Sequence, residues 1–175
     1  AAVHWSKIIA VPTAEEFCQQ IVGEEFVSFG RRAKYMLLGL SSGATLIVHL
    51  RMTGHLHVLP ADAQPDKHTH VVMRLDDGHT LHYQDPRKFG RLWLVGDVEP
   101  ILSKLSAEPL SAEFTTKWLS ERLQNRNAPI KALLLDQTIS AGVGKIYADE
   151  ALHLASIHPT RPGASLKPGE IKKLH

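Results

Sequence analysis

The apolar pattern of this 175-residue chain changes its period once, near residue 98, and that change divides it into two units of different kinds. Before it, short β-favouring runs alternate with turns: Tyr35 to Leu40, Ala44 to Leu50, His55 to Leu59, Val71 to Leu75, Thr80 to Gln84 and Leu92 to Val95. Ser41-Ser42-Gly43 and Asp76-Asp77-Gly78 are hairpin signals between such runs. Many closely spaced strands predict a β-sandwich or flattened barrel. From Pro100 onward the period is helical. Ser111 is the expected cap of a helix whose Phe114, Trp118, Leu119 and Leu123 share a face. Pro129 suits the first turn of another, with Ile130, Leu133 and Leu134 inward. A third is expected from Lys145 to Ala155, with Tyr147, Ala151 and Leu154 in register and Pro159 stopping it; a fourth opens at Leu166 and runs to His175. The expected class is α+β, an antiparallel β-sandwich lobe over residues 1–98 followed by a helical lobe over 99–175.

Composition narrows the function classes. A single cysteine, Cys18, excludes an internal disulfide and a four-cysteine zinc site within these residues, and it suits a reducing compartment. No apolar run approaches the roughly 20 residues needed to cross a membrane, and the first residues carry no signal-peptide pattern, so a cytoplasmic home is expected. The formal charge of +2 is too small to argue for nucleic acid by itself. It is unevenly spread, however: residues 31–91 hold nine Lys or Arg against five Asp or Glu, while Glu15, Glu16, Glu24 and Glu25 crowd the first thirty.

Two segments carry chemistry. Pro86-Arg87-Lys88-Phe89-Gly90-Arg91 sets an aromatic side chain among cations at the end of a strand, and Met52 sits in a second loop, Arg51-Met52-Thr53-Gly54. Apolar side chains at loop tips beside cations suit a wedge that opens a DNA duplex, with the cations on phosphates. The same residues also fit a core beside two hairpin turns. In the second segment, Thr138 to Lys145, two glycines precede a helix, so free N–H groups and Lys145 form a seat for a phosphate. The spacing is not that of a nucleotide-binding loop, and a tight helix-helix turn needs glycines as well. A competing function rests on histidine: seven of the eleven lie between His49 and His82, and the pairs His55/His57 and His68/His70 each share a strand face. A His-rich metal-binding sandwich is that alternative, although no Glu or Cys completes a ligand set and a solvated sheet face explains the alternation.

Arg31-Arg32-Ala33-Lys34-Tyr35, His49-Leu50-Arg51-Met52-Thr53-Gly54, Lys67-His68-Thr69-His70-Val71, Asp85-Pro86-Arg87-Lys88-Phe89-Gly90 and Gly142-Val143-Gly144-Lys145-Ile146-Tyr147-Ala148-Asp149-Glu150 follow one another along the chain. In that order they resemble the formamidopyrimidine-DNA glycosylase and endonuclease VIII family, more closely its formamidopyrimidine branch. The resemblance implies a bifunctional base-excision repair enzyme, a DNA glycosylase and abasic-site lyase that removes oxidised purines by flipping the base and forming a Schiff base with the sugar. It implies a β-sandwich, a helical domain with a helix-two-turn-helix element and then a zinc finger. Damaged double-stranded DNA would run across the cleft between the lobes of a monomer working at the nucleoid, with no membrane partner. Residue by residue, it gives Lys34 a catalytic place in proton transfer and phosphate stabilisation. His49, His68, Arg87, Arg126 and Lys145 take DNA-contacting positions, and Met52, Arg87 and Phe89 fill the gap left by the rotated base.

The chain departs from that pattern. Lys145 stands where the family has asparagine. Family members begin Pro-Glu-Leu-Pro-Glu, with the proline amine as nucleophile, whereas this chain begins Ala1-Ala2-Val3-His4-Trp5 and ends at His175 inside an expected helix. The expectation is a central fragment that binds damaged DNA but lacks the nucleophile and needs no cofactor of its own, zinc belonging to the full-length family. A catalytically inactive nucleic-acid-binding relative is the alternative.

Overall fold

The computed structural model describes all 175 residues, which form two units, Ala1–Pro100 and Ile101–His175. Two sheets make the first. One has the strand order β1 (Ala2–Val3), β7 (Thr69–Arg74), β8 (His79–Gln84) and β6 (His55–Pro60). The other has the order β2 (Ile9–Val11), β9 (Arg91–Val95), β5 (Thr45–His49), β4 (Tyr35–Leu40) and β3 (Phe26–Arg32). Every pairing is antiparallel except that of β2 with β9. The fold is α+β, a β-sandwich followed by helices, as the change of period predicts.

Period-two alternation builds the sandwich core. Leu38 and Leu40, Leu46 and Val48, Val71 and Met73, Leu81 and Tyr83, and Leu92 and Leu94 are buried two by two along five strands. Each fully buried apolar side chain contributes about 1.5–3 kcal/mol. The helix α1 (Ala14–Gln20) adds Phe17, which is fully buried. Its start is fixed by a reciprocal cap: Thr13 Oγ1 accepts from Glu16 N–H at 3.2 Å, and the Glu16 carboxylate accepts from Thr13 N–H at 3.0 Å.

The expected strands all form, within two residues at either end. Four elements had no readable signal. β1 and β2 are too short for a window, and α1 buries one large side chain rather than a stripe. β3 is an edge strand with Val27 60% and Phe29 75% exposed, so no inward alternation marks it.

The second unit contains α3 (Thr116–Leu123), α4 (Ile130–Leu135), α5 (Lys145–Ala155) and α6 (Pro168–Leu174), while the single turn α2 (Glu99–Leu102) spans the division between the units. Its core is formed by Phe114, Leu119, Leu123, Ile130, Leu133, Leu134, Leu152 and their neighbours. Three expectations are corrected. The cap of α3 is Thr115, whose Oγ1 accepts from Trp118 N–H at 3.0 Å; Ser111 instead closes a turn by donating to the Glu108 carbonyl at 2.8 Å. On α5, Ala148, Leu152 and Ala155 are buried, and Tyr147 and Leu154 are 75% and 79% exposed. The two rows lie one residue apart, about 100° around the helix, and only the row of small side chains lets α4 and α6 come close. Finally, α6 begins at Pro168 rather than Leu166, because a 3-10 turn over Gly163–Ser165 leaves Leu166 in the core and proline supplies the helical φ of the first position.

Candidate nucleic-acid interface

Strand register gathers the candidate residues of the first unit at one end of the sandwich. Across the five-stranded sheet, Arg32 pairs with Tyr35, Tyr35 with His49 and His49 with Arg91. Across the four-stranded sheet, Thr69 pairs with Gln84 and Gln84 with His55. Residues 50–54 lead from His49 to His55 and residues 85–90 from Gln84 to Arg91, so both loops cross between the same two rows and lie side by side. The turn at Ala33-Lys34 and residues 66–68, just ahead of Thr69, end on those rows as well. Lys34, His49, Met52, His68, Arg87 and Phe89 therefore share one end, although they are scattered over more than fifty residues of sequence.

The two apolar tips face solvent, Met52 at 66% and Phe89 at 48% exposure. The Arg87 guanidinium lies 4.7 Å from the centre of the Phe89 ring, so cation and aromatic ring form one exposed plate. Lys88 and Arg91 reach over Trp5 instead, at 5.4 and 5.9 Å from its centre, which anchors the loop base. Arg51 and Lys88 hold left-handed backbone angles, φ 55° and 59°, a conformation that costs a non-glycine residue free energy and occurs where tertiary contacts impose it.

His49 is 8% exposed. Its Nδ1 accepts from the Arg51 N–H at 3.0 Å, and its ring meets Tyr35 edge-on at 4.6 Å. Burial, reinforced by the charges of Arg51 and Lys34, lowers its pKa to about 4, so the ring is neutral at physiological pH and Nε2 carries the proton. A contact from His49 to DNA is thereby limited to a neutral Nε2–H. Because the folded-state pKa lies below the ordinary value of about 6.5, the unfolded chain takes up this proton first as the pH falls. The expected result is a stability loss of the β-unit that begins below about pH 6.5 and is complete below about pH 4, reaching at most about 3 kcal/mol from this group. Thermal melts across that range should flatten in His49→Asn; an identical acid profile in the variant would contradict the assignment. Lys34 is exposed at the adjacent turn, and its pKa is lowered by partial burial of the ammonium and then by Arg51.

The sequence motifs give Asp85 no role of its own. It is fully buried. Its Oδ1 accepts from the Thr53 hydroxyl at 2.5 Å and the Arg87 N–H at 3.2 Å, and its Oδ2 from the Gly90 N–H at 2.8 Å. Burial pushes its pKa up, but the Thr53 hydroxyl and the N–H groups of Gly90, Arg87 and Phe89 outweigh it and hold the carboxyl below its usual range. The signal was available: Asp85 continues the inward parity of Leu81 and Tyr83, and a charged residue on a buried face must find donors. Tyr83 is enclosed too, since a methyl group at Gly54 would stand 2.5 Å from its hydroxyl and one at Gly90 would run into it.

The histidines divide. His55 and His57 stack at 5.6 Å on the exposed edge strand, His70 Nε2 lies 2.9 Å from the Asp85 carbonyl oxygen, and His82 is buried. No group of three or more His, Cys, Asp or Glu is arranged to hold a metal ion.

In the second unit, Arg126 and Lys145 are both exposed, Lys145 as the first residue of α5. The turn before α5 is closed by Gln137, which donates to the carbonyls of Leu135 at 2.9 Å and Val143 at 3.1 Å and accepts from the Gly142 N–H at 2.9 Å. Gly142 has φ 92°, the left-handed conformation that explains its glycine, and Gly144 caps the helix without a side-chain hydrogen bond. The first N–H groups of α5 thus face outward beside a cation, an arrangement suited to an anion.

Fold and site define the class of two-unit chains that join a β-sandwich to a helix-two-turn-helix domain. Residues 1–92 match the formamidopyrimidine-DNA glycosylase N-terminal domain and residues 105–175 match the formamidopyrimidine-DNA glycosylase H2TH domain. The chain belongs to the formamidopyrimidine-DNA glycosylase family. It is 50% identical over 173 residues to the formamidopyrimidine-DNA glycosylase of Roseiflexus sp. (strain RS-1), covering 98% of this chain and 63% of that protein. With its counterpart in Chloroflexus aurantiacus it is 48% identical over 179 residues, covering 100% and 63%. The chain thus spans less than two thirds of the length of these curated relatives. Among solved structures it resembles the Lactococcus lactis enzyme in complex with DNA containing FAPY-dG, at TM-score 0.93 and 32% identity over 99% of this chain and 66% of that one. The same enzyme bound non-covalently to DNA with an AP site matches equally well, with 68% of its chain covered.

Proposed function

We propose that this chain is the duplex-engaging part of a base-excision repair glycosylase of oxidised purines with an associated abasic-site lyase step, and that Met52, Arg87 and Phe89 enter the gap left when a damaged nucleotide is rotated out. The carrying observation is the strand register that sets two solvent-facing apolar tips side by side, with a cation stacked on one of them. An apolar tip gains nothing in water. Inserted into a duplex, it replaces the stacking lost by the rotated base. The complexes of the Lactococcus lactis relative with DNA that carries a modified or missing base support the choice of partner.

The remaining residues supply positioning. Arg87, Arg126 and Lys145 meet phosphates, the last with the N–H groups at the start of α5. Lys145 in place of asparagine adds a charge to that contact. Lys34, beside Arg51, stabilises phosphate charge and, with its lowered pKa, gives up a proton more readily than an ordinary lysine. Zinc, which the family resemblance attaches to the whole protein, has no ligand set in this chain, and no step of this proposal runs through it.

Affinity for duplex DNA should fall with salt as counterions are released, each phosphate contact adding about 0.9 to the logarithmic slope. Arg126→Ala should therefore reduce the slope by about one, and binding measured from low to moderate salt checks this. An unchanged slope would remove Arg126 from the phosphate backbone.

A further inference from the structure

We propose that Asp85 is a positioning residue for gap recognition: its buried carboxylate fastens the Met52 loop to the Phe89 loop, so that both tips reach the duplex as one rigid unit. This inference rests on the reading of Met52 and Phe89 as a wedge. Three features carry it. First, the hydrogen bonds of Asp85 reach different segments: the Thr53 hydroxyl belongs to the Met52 loop, whereas the N–H groups of Arg87 and Gly90 bracket Phe89. Second, its main chain extends the reach, since Asp85 N–H donates to the His68 carbonyl at 3.0 Å and its carbonyl accepts from Lys88 N–H at 3.1 Å. His68, Met52, Arg87 and Phe89 thus all lie within a residue or two of a bond to Asp85. Third, neither loop is an ordinary tight hairpin. Arg51 and Lys88 adopt left-handed φ without being glycine, a conformation that an isolated loop would relax.

A carboxylate suits this position. Every partner is a donor, and only a group with two acceptor oxygens takes a hydroxyl from one loop and two N–H groups from the other. Asp85→Asn keeps the size but turns one oxygen into a donor, so it must break at least one of the three bonds. The loops would then sample other arrangements. Gap affinity falls by the fraction of time the tips are misplaced, whereas phosphate contacts made elsewhere remain.

The test compares the unaltered chain with Asp85→Asn, Thr53→Val and the double change Met52→Ala/Phe89→Ala, each titrated with abasic and intact duplexes of one sequence. Met52, Met36 and Met73 are labelled at their ¹³C methyl groups. Met73 is buried and Met36 half-buried in the sandwich, so their lines report the fold while the Met52 line reports the tip. Asp85→Asn should reduce the preference for abasic duplex by about tenfold if the tips are aligned about one tenth of the time. It should also abolish the shift of the Met52 line on abasic DNA, with the Met36 and Met73 lines and the salt slope unchanged. A general loss of structure would move all three lines. If Asp85→Asn does not fold, Thr53→Val decides, because it removes only the bond between the loops. A folded variant with native preference and a native Met52 shift overturns the role of Asp85. If the Met52 line of the unaltered chain does not move on abasic DNA and the double change leaves the preference intact, the wedge reading fails, and this inference with it.

Discussion

Changing Met52 and Phe89 together to Ala is expected to lower the preference for abasic over intact duplex by about tenfold, with the thermal midpoint of the chain nearly unmoved. Stacking a base on an aromatic side chain contributes about 1–3 kcal/mol, and about 1.4 kcal/mol corresponds to a factor of ten. Folding gains little from either side chain, because Met52 is 66% exposed and Phe89 is 48% exposed, with an arginine rather than the core against its ring. The stability change should stay near 0.5–1 kcal/mol, roughly the value of one exposed cation–π contact. Truncating a core phenylalanine would cost about 3–5 kcal/mol. Competition titrations and melting curves on the double variant separate these cases. A variant that unfolds would place both residues in the core. A folded variant with undiminished preference would leave them exposed but idle.

Gly90→Ala should damage the β-unit by about 1–3 kcal/mol, a drop of several degrees in melting temperature. The reason is space, since Gly90 is not among the left-handed glycines. A methyl group there would run into the Tyr83 hydroxyl and stand 2.8 Å from Tyr83 Cζ and 3.1 Å from the His49 carbonyl oxygen. Tyr83 is fully buried and cannot swing aside. Tyr83→Phe in the same chain should recover part of the loss, because it removes the nearest atom, giving a coupling of about 0.5–3 kcal/mol in a double-mutant cycle. Gly96→Ala is the control: a methyl group there meets nothing within 4 Å, so its effect should stay within about 0.5 kcal/mol. Equal melting temperatures for Gly90→Ala and Gly96→Ala would refute the packing argument.

The legible parts of the fold were those in which a period repeats against a buried face. β4, β5 and β8 stood out in this way, β4 down to its end residues, while α5 was legible in its extent although the row expected to face inward is the exposed one. β3 did not, because an edge strand with exposed Val27 and Phe29 has no buried face to alternate against. The candidate residues were legible as types but not as an arrangement. Met52 and Phe89 stand out beside cations in the sequence and Arg87 joins them through the family resemblance, yet the common place of the three depends on the pairs His49 with Arg91 and His55 with Gln84. Long-range register of that kind is not encoded in any window. Asp85 shows the same limit: its inward parity marks a buried carboxylate in need of donors, but the Thr53 hydroxyl that binds it comes from 32 residues away. The helical register failed differently: rows 147/151/154 and 148/152/155 are both apolar, and only the space left by α4 and α6 selects the one with two alanines.

The claim that this chain recognises a gap in a duplex, rather than phosphate charge alone, is tested most directly by competition between abasic and intact duplexes of identical sequence, length and salt. The two offer nearly the same phosphates, so charge alone predicts equal affinity. Insertion of Met52, Arg87 and Phe89 predicts about tenfold or greater preference for the abasic duplex, persisting as salt is raised while both affinities fall. Equal affinities at every salt concentration would contradict the account.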